Sequence, residues 1–470
     1  MAQTFFFYDL ETSGLNPRQD RIMQFAGQRT DMNLEPIGEP YNLLVALNDD
    51  TLPSPDALMV TGITPQKTVE EGYSEAQFTR MLSEEIFTPD TIAVGFNNIR
   101  FDDEFIRHVL WRNFHDPYEW SWKDGRSRWD LLDVVRLTRA LRPEGINWPL
   151  DAKGEPSNRL ELITSANGIA HENAHDALAD VTALIAVTKL IKQKQPQLYD
   201  YLLKMRDKKV VQQLVNVDDK KPFVYASGRY DKEFAKTTVA FPLTTSRNGG
   251  VVVYDLRYDP APFVGLSQEE LAKKIFASWE ERQAEDFVKL PVKELQYNRC
   301  PAVAPLGVLE QGDGWRKISL DLATVQKHQD MLLKYPDFAE KLRGIFENKP
   351  AFKKLPDPEA QLYDGFLNDR DRLRVEAVRN ADERELADFH PEFQDERLAP
   401  LLLHYKARNF PRSLSEDDLA QWEAWRAQRL QTQLPQFMAS LQRLATTATD
   451  EQQFILQELQ LWVEAVLPIV

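Results

Sequence analysis

The feature that most constrains this fold is an aromatic run near the start of the chain that ends in two carboxylates. Residues 5–8 read Phe-Phe-Phe-Tyr, and Asp9 and Glu11 follow. An apolar, aromatic run of this length favours a buried β-strand. Because side chains alternate along a strand, Asp9 and Glu11 lie on the same side if the strand continues. Hard divalent cations bind such clustered oxygens, and the alternative interpretation is a polar strand end that enters a loop.

A second acidic cluster stands at the start of a helical pattern farther along the chain. Phe101 and Phe105 are four residues apart and share the buried face of that helix, and Asp102 lies at the edge of the same face. The helix dipole favours anions in the first turn, which explains Asp103 and Glu104. It explains Asp102 less well, so Asp102 is the candidate functional residue of this cluster.

A third signal is a histidine that is followed by an aspartate at a helix start. His175 precedes a helical segment expected over residues 176–194, and Asp180 lies five residues after His175. Ala177 and Ala179 are small enough to let this helix approach a sheet closely. Asp180 borders the apolar face of the helix. The ordinary alternatives are a surface or capping histidine and a solvated aspartate.

The order of strand and helix signals indicates three parts. Strand-like runs occupy residues 4–9, 22–30, 41–47 and 91–96. Strands first, and then strands that alternate with helices, favour a mixed α/β layer fold. Short strand-like runs follow Pro196, and helical periodicity dominates from Glu359 onward. We therefore expect domains at residues 1–195, 196–350 and 351–470.

Composition excludes several classes of protein. The chain has 470 residues, which suggests about three domains. Its net charge of −16 argues against a polycationic nucleic-acid coat but allows a locally basic groove. Cys300 is the only cysteine, which excludes internal disulfides and thiolate zinc sites and fits a reducing cytosol. The apolar runs are too short to cross a bilayer and the start has no signal-peptide core, so we expect a cytoplasmic protein with no membrane partner.

The motifs Asp-x-Glu, Asn-x-x-Phe-Asp and His-x-Ala-x-x-Asp occur in this order along the chain. This combination resembles the DEDDh family of 3′→5′ exonucleases, whose catalytic fold is ribonuclease-H-like. Longer stretches are similar to the bacterial exodeoxyribonuclease I branch of that family, notably residues 95–104, 127–133, 141–149 and 405–411. The resemblance implies an α/β, ribonuclease-H-like mixed-sheet exonuclease domain. A β-rich SH3-like domain and an α-helical C-terminal domain would follow it.

The resemblance also implies an activity and its catalytic residues. The expected activity is hydrolysis of single-stranded DNA in the 3′→5′ direction with release of 5′-mononucleotides, in DNA repair and recombination. The expected ligands of two Mg²⁺ ions, for which Mn²⁺ substitutes, are Asp9, Glu11, Asp102 and Asp180. Glu11 and Asp102 are also counted as catalytic. His175 would be the general base, because an imidazole accepts a proton near neutral pH.

Contacts to DNA and to a protein partner are expected from the same resemblance. Single strands are held by stacking on aromatic side chains and by basic groups that follow the phosphates. The expected DNA-contacting residues are Thr12, Arg107, Tyr118, Trp122, Arg136, Arg159 and Lys208. Surface salt bridges are the alternative for the arginines, and Phe114 and Trp129 are expected in the core. Arg142, Tyr201 and Lys221 match positions for the acidic, Phe-ending tail of single-strand DNA-binding protein, and the chain is expected to be a monomer.

Three other functions stay open at this point. A DEDDh ribonuclease or proofreading subunit would carry the same catalytic motifs, although it needs little beyond the catalytic domain. A catalytically inactive nucleic-acid scaffold would be favoured by the loss of any carboxylate, and none is missing. A structural protein without a metal would leave the clustered acids unexplained and would gain no stability from Mn²⁺.

Overall fold

The computed structural model describes residues 2–171, 176–247, 249–349 and 354–467. The expected general base, His175, therefore lies outside the described residues. The chain forms two compact units, the first from residues 1–128, 171–185 and 353–470 and the second from residues 129–170 and 186–352. Each unit is described by itself.

Strands and helices alternate in the first part of the chain, and helices dominate the last part. The strands are β1 (Thr4–Thr12), β2 (Ile22–Thr30), β3 (Tyr41–Leu44), β4 (Thr91–Gly95), β5 (Ser127–Asp130), β6 (Phe223–Ala226), β7 (Thr237–Thr245), β8 (Val251–Asp255), β9 (Val292–Leu295) and β10 (Ala302–Pro305). The helices are α1 (Pro55–Thr61), α2 (Pro65–Glu71), α3 (Glu75–Met81), α4 (Asp102–Arg112), α5 (Leu131–Leu141), α6 (Leu160–Ala166), α7 (Ala177–Lys194), α8 (Pro196–Lys204), α9 (Lys208–Leu214), α10 (Ala261–Val264), α11 (Gln268–Phe276), α12 (Gly314–Lys317), α13 (Leu322–Lys334), α14 (Pro336–Glu347), α15 (Asp369–Asn380), α16 (Glu383–Asp388), α17 (Leu398–Asn409), α18 (Glu416–Ala445) and α19 (Asp450–Val466). In the described ranges, none of these helices combines the length and the apolar character that a membrane span requires.

The first unit is built around a mixed five-stranded sheet in the order β3-β2-β1-β4-β5. Strand β1 is central because its aromatic residues, Phe5 to Tyr8, are buried on both faces. It pairs antiparallel with β2 and parallel with β4. The register is regular up to Glu11 and shifts between Glu11 and Thr12. The mixed sheet confirms the predicted α/β class, and β2 has the bounds expected from sequence.

The C-terminal helices belong to the same compact unit as this sheet. Trp111 and Phe114 pack in one apolar cluster with Leu401 and Tyr405 of α17. A second cluster joins Met23 and other residues before position 64 to α18 and α19. Phe114 is therefore a core residue, as predicted, and the helical region is fixed to the sheet through apolar contacts.

The second unit contains an antiparallel sheet in the order β10-β6-β7-β8-β9. Its strands contribute Phe223, Val251 and Leu295 to one apolar cluster. Trp129 is buried and meets the Tyr199 ring edge-on, so it is a core residue, as predicted. These features confirm a β-rich second part.

Candidate active site

The end of strand β1 presents two carboxylates on one face. Tyr8 and Leu10 are buried, whereas Asp9 and Glu11 are partly exposed, so the alternation expected from the sequence is present. The strand continues to Thr12, which keeps both acids in an extended segment. Asp9 and Glu11 therefore point to the same side of the sheet.

Asp180, near the start of α7, joins these two acids. One carboxylate oxygen from each of Asp9, Glu11 and Asp180 lies within 4.8 Å of the others. The acids come from two stretches of chain far apart in sequence, and the fold brings them to one point. We call Asp9, Glu11, Asp180 and the neighbouring Asp102 the acidic site.

Burial and neighbouring acids raise the pKa values of two carboxyls of the acidic site. Burial raises the pKa of Asp9 well above its usual value, and the charges of Asp102 and Asp180 raise it further. Burial raises the pKa of Glu11 to about 9, with further contributions from Asp9, Asp180 and Asp176. Within the described part of the chain, every charged group that shifts these two pKa values is itself an acid. A divalent cation bound among them would relieve this repulsion.

Asp102 lies beside Asp9, at the first position of helix α4. Its side chain is buried, and its charge is the largest electrostatic contribution to the raised pKa of Asp9. Asp103 follows in the same helical turn, and its side chain is buried as well. The sequence predicted an ordinary anion of the first helical turn at this position, whereas the structure encloses Asp103 in the protein interior.

Among the described residues, His171 is a histidine that lies at the acidic site. Its Nε2 lies 2.6 Å from Oδ1 of Asp180, and its side chain is buried. Sequence reasoning missed this residue because it considered only His175, which directly precedes the helix. The available signal was the presence of a second histidine four residues earlier.

Thr12 lies where the β1–β2 register shifts, directly after Glu11. Its hydroxyl donates a hydrogen bond to the carbonyl of Gly14 at 2.7 Å. The side chain is buried. This contact holds the turn that leaves the acidic site, so Thr12 has a local structural role there in addition to its predicted contact with DNA.

A second group of metal-ligating side chains contains Asp357, Glu359 and His404. Glu359 lies 2.9 Å from Arg21 and 2.5 Å from Arg408. Burial alone would raise the pKa of Glu359, but the charges of Arg408 and Arg21 outweigh burial and hold the pKa well below its usual value. Arginine charge already compensates this group, so it does not fit a cation site.

Two of the predicted DNA-contacting residues meet in the first unit. The Arg107 guanidinium lies 5.6 Å from the centre of the Tyr118 ring, and its NH1 lies 2.9 Å from Glu104 Oε1. Trp122 is 64% exposed, which suits a stacking surface. A surface salt bridge, the alternative for Arg107, accounts for its contact with Glu104 but not for its position over the Tyr118 ring.

Tyr363 and Phe366 extend this surface and were not anticipated from the sequence. Their ring centres lie 6.4 Å and 6.1 Å from that of Tyr118. The Tyr363 hydroxyl donates to Oε2 of Glu104 at 2.5 Å, and Phe366 is 83% exposed. No local motif marks these two residues, because their neighbours belong to a distant part of the chain.

Comparison with known families accounts for the whole chain. The Exonuclease family model matches residues 6–188, the Exonuclease I SH3-like domain residues 206–348, and the Exonuclease I C-terminal domain residues 356–466. Exodeoxyribonuclease I of Haemophilus influenzae is 40% identical over 450 residues, which cover 95% of each chain. The chain belongs to the exonuclease I family.

Solved structures of the exonuclease I family have the same fold. A moderately thermophilic exonuclease I from Methylocaldum szegediense is 40% identical, with a TM-score of 0.94 over 99% of this chain and 100% of that chain. A zinc-bound complex of exonuclease I from Escherichia coli with single-stranded DNA is 37% identical, with a TM-score of 0.94 and the same coverage. The ribonuclease-H-like, SH3-like and helical fold class expected from the sequence is thus confirmed.

The remaining predicted DNA-contacting residues of this exonuclease I family member lie in the second unit. Arg136 pairs with Asp133 at 2.6 Å. Arg159 is 76% exposed and lies 3.7 Å from Glu161, an arrangement that also fits a surface ion pair. Lys208 is exposed at the start of α9. Nothing in their own contacts assigns these three residues to DNA.

The predicted partner-binding residues also belong to the second unit. The Arg142 guanidinium donates to Gln311 Oε1 at 3.2 Å, and Lys221 is exposed at 3.7 Å from Asp219. Within the described residues, the buried hydroxyl of Tyr201 has no hydrogen-bond partner, and burial raises its pKa to about 12. Their role in binding a protein tail stays a prediction.

Proposed function

We propose that the protein is a metal-dependent exonuclease that removes nucleotides from the 3′ end of single-stranded DNA. The observation that carries this proposal is the convergence of Asp9, Glu11 and Asp180 within 4.8 Å, next to Asp102. Carboxylates that lie this close together are suited to a divalent cation and poorly suited to a purely structural role. The proposal keeps domains at residues 1–195, 196–350 and 351–470.

The donor set fits Mg²⁺, with Mn²⁺ as a substitute. Carboxylate oxygens are the ligands of both hard cations. Burial and neighbouring acids raise the pKa values of Asp9 and Glu11, and a bound cation would stabilise their ionised forms. Asp9, Glu11 and Asp180 would hold one ion, and Asp9 and Asp102 would hold a second. When bound, the ions would lower the pKa of the attacking water and stabilise charge on the phosphate and the leaving oxygen.

The chain's own residues supply the proton transfer and the alignment. His175 would accept a proton from the attacking water, whose oxygen forms the new bond to phosphorus. The bond between phosphorus and the 3′-oxygen of the preceding nucleotide breaks, and that oxygen is protonated. The products are a 5′-mononucleotide and a strand with a new 3′-hydroxyl.

Single-stranded DNA is the substrate that the surface of the first unit favours. Arg107, Tyr118, Trp122, Tyr363 and Phe366 combine a cation with exposed or partly exposed rings. Unpaired bases stack on such rings, whereas the bases of a duplex are already stacked on each other. Phosphate contacts would come from Thr12, Arg136, Arg159 and Lys208.

Further parts of the proposal concern the cell rather than the reaction. Arg142, Tyr201 and Lys221 would bind the acidic, Phe-ending tail of single-strand DNA-binding protein. The cationic side chains would attract its carboxylates. The protein would act as a cytoplasmic monomer in DNA repair and recombination. The tail contact is tested by titrating the protein with a peptide that has the sequence of this tail, with and without its terminal Phe.

A cleavage time course with end-labelled strands tests the proposed function. Single-stranded DNA and RNA, labelled at either end, and duplex DNA are incubated with Mg²⁺, Mn²⁺ or EDTA. We expect immediate loss of the 3′ label as mononucleotide, progressive shortening of the 5′-labelled strand, and no cleavage in EDTA. Asp330→Asn, which changes an exposed acid of α13, is the control and should behave as wild type. Cleavage in EDTA, or release from the 5′ end first, would contradict the proposal.

A further inference from the structure

A buried carboxylate that the proposed reaction does not use lies directly behind the acidic site. Oδ1 of Asp103 accepts a hydrogen bond from the Tyr8 hydroxyl at 2.5 Å and one from Asn98 Nδ2 at 3.2 Å. Its Oδ2 pairs with Nη1 of Arg128. We call Asp103 with these three donors the Asp103 clamp.

The Asp103 clamp is closed to solvent. Tyr8, Asn98 and Asp103 are fully buried, and Arg128 is 8% exposed. A buried carboxylate costs free energy unless donors satisfy it, and here both oxygens are bound. Arg128 balances the charge of Asp103, so this acid is not available to a cation.

The clamp connects three neighbouring strands of the sheet. Tyr8 lies in β1, Arg128 in β5, and Asp103 in the helix that follows β4. The Tyr8 ring is fixed in turn, stacked on Phe25 at 6.1 Å and edge-on to Phe87 at 5.8 Å. The hydroxyl therefore has a fixed position from which it holds the first turn of α4.

Close packing at the β4 end sets the position of Asn98. A Cβ atom at Gly95 would come within 2.5 Å of the Asn98 Cβ, so this position requires glycine. Asn97, between them, has a left-handed backbone with φ of 69°. These features form a tight turn that presents the Asn98 amide to Asp103.

Each end of the clamp is adjacent in sequence to a residue of the acidic site. Tyr8 precedes Asp9, and Asp103 follows Asp102. Neighbouring residues of a strand point to opposite faces, so Tyr8 binds behind the sheet surface that carries Asp9. Because Asp102 and Asp103 are consecutive residues at the start of α4, the contacts that hold Asp103 to β1 and β5 also fix where Asp102 lies relative to Asp9.

We propose that Asp103 is a positioning residue that sets the separation of Asp9 and Asp102 and thereby the affinity of the acidic site for a divalent cation. The clamp holds the start of α4 against β1 and β5, and it thereby fixes the position of Asp102 before the cation arrives. This inference rests on the proposed function, because it concerns the same cation site. Loss of an outer partner of a metal ligand typically weakens metal binding by about 10-fold to 100-fold.

Tyr8→Phe is the sharpest test, because it removes one hydroxyl and leaves the ring packing intact. We expect the half-saturating Mn²⁺ concentration to rise about tenfold, both in Mn²⁺-induced thermal stabilisation and in nuclease activation. The KM for DNA should stay at the wild-type value, since the strand contacts are untouched. Tyr254→Phe is the matched control: it removes an equally buried hydroxyl from β8 of the second unit and should leave both Mn²⁺ constants unchanged.

Asp103→Asn and the double variant test whether the two residues act through one contact. Asp103→Asn should raise the half-saturating Mn²⁺ concentration at least as much as Tyr8→Phe, and adding Tyr8→Phe to it should have little further effect. Fully additive shifts, or a wild-type Mn²⁺ constant in Tyr8→Phe, would overturn the positioning role. If Asp103→Asn does not fold, the Tyr8→Phe result alone decides.

The thermal readout separates this inference from the proposed function. A wild-type protein that is stabilised by Mn²⁺ but cleaves no DNA would refute the nuclease. The clamp would still stand if Tyr8→Phe shifted the Mn²⁺ constant. An active wild-type enzyme with an unshifted Tyr8→Phe variant would refute the clamp and leave the nuclease intact.

Discussion

Two clusters of acids in the first unit look alike as lists of residues and behave in opposite ways. The acidic site brings together Asp9, Glu11 and Asp180, and the second cluster brings together Asp357, Glu359 and His404. Both offer three ligand atoms within bonding reach of one point. The pKa of Glu11 is raised to about 9, whereas that of Glu359 is held well below its usual value.

The difference lies in the surrounding cations. The second cluster belongs to a buried ion network in which these residues take part: Arg21, Arg112, Arg408, Arg429, Asp50, Glu75, Asp357 and Glu359. Burial alone would raise the pKa of Asp50, but Arg408, Arg429 and Arg21 outweigh burial and lower it. For the residues that the structure describes, no arginine or lysine is among the causes of the pKa shifts at Asp9 or Glu11. The charge of the surrounding side chains, rather than the number of acids, distinguishes a cation site from a structural network.

The largest expected effect comes from neutralising one acid of the acidic site. Asp180→Asn should lower nuclease activity by about 1,000-fold or more, because the ligand set loses a charge where transition-state charge is stabilised. The stability of the metal-free protein should change little, since the substitution removes the repulsion that Asp180 exerts on Asp9 and Glu11 and also the charge that faces His171 Nε2 at 2.6 Å. Activity assays and thermal unfolding in EDTA check both expectations. Residual activity above about one hundredth of wild type would contradict the ligand role.

The same type of substitution in the buried ion network should have the opposite effect. Glu359→Gln leaves Arg21 and Arg408 without their shared partner and should lower the free energy of unfolding by about 3–5 kcal/mol. Urea unfolding measures this change. The matched control, Glu340→Gln, breaks an exposed pair with Arg343 and should cost less than about 1 kcal/mol. Equal losses in the two variants would show that burial of the network adds nothing.

Removing the expected general base should separate proton transfer from cation binding. His175→Ala should lower turnover about 100-fold, a typical contribution of a positioned base. Stabilisation by Mn²⁺ should be retained, in contrast to Asp180→Asn, because His175 is not an expected ligand. His390→Ala, which changes an exposed histidine, is the control. Normal turnover in His175→Ala would remove this residue from the mechanism.

The smallest effect, but the most direct comparison, is the pH dependence of stability without metal. The folded state keeps protons on Asp9 and Glu11 that the unfolded chain releases, so stability should decline as pH rises from about 4.5 to about 9. Asp50, Glu75 and Glu359 have lowered pKa values, so their contribution is present above the ordinary carboxyl range and is lost as pH falls below it.

Thermal unfolding across pH, with and without Mn²⁺, checks both signs. Mn²⁺ should remove the decline on the alkaline side and leave the acid side unchanged. Glu11→Gln should weaken the alkaline decline in the absence of metal. A metal-free stability that rises steadily from pH 5 to 9 would show that the acidic site is compensated after all.

Much of the architecture followed from local patterns. The buried strand at the aromatic run of residues 5–8 and the bounds of β2 each depend on neighbours in sequence, and both are present. The grouping of Asp9, Glu11 and Asp180 was also expected, although their roles stay predictions. Strand ends were predicted less well: β1 continues to Thr12 rather than ending at residue 9, and β3 ends at Leu44 rather than at residue 47.

The sequence by itself determined the α/β order of elements, the acids that converge at the end of β1, and the family of the chain. Only the tertiary structure decided that Asp103 is clamped, that Tyr363 meets Tyr118, and that arginines compensate Glu359. The reason is physical: the state of a buried charge depends on which distant groups the fold packs around it. A carboxylate has the same local sequence signature whether its eventual neighbours are acids or arginines.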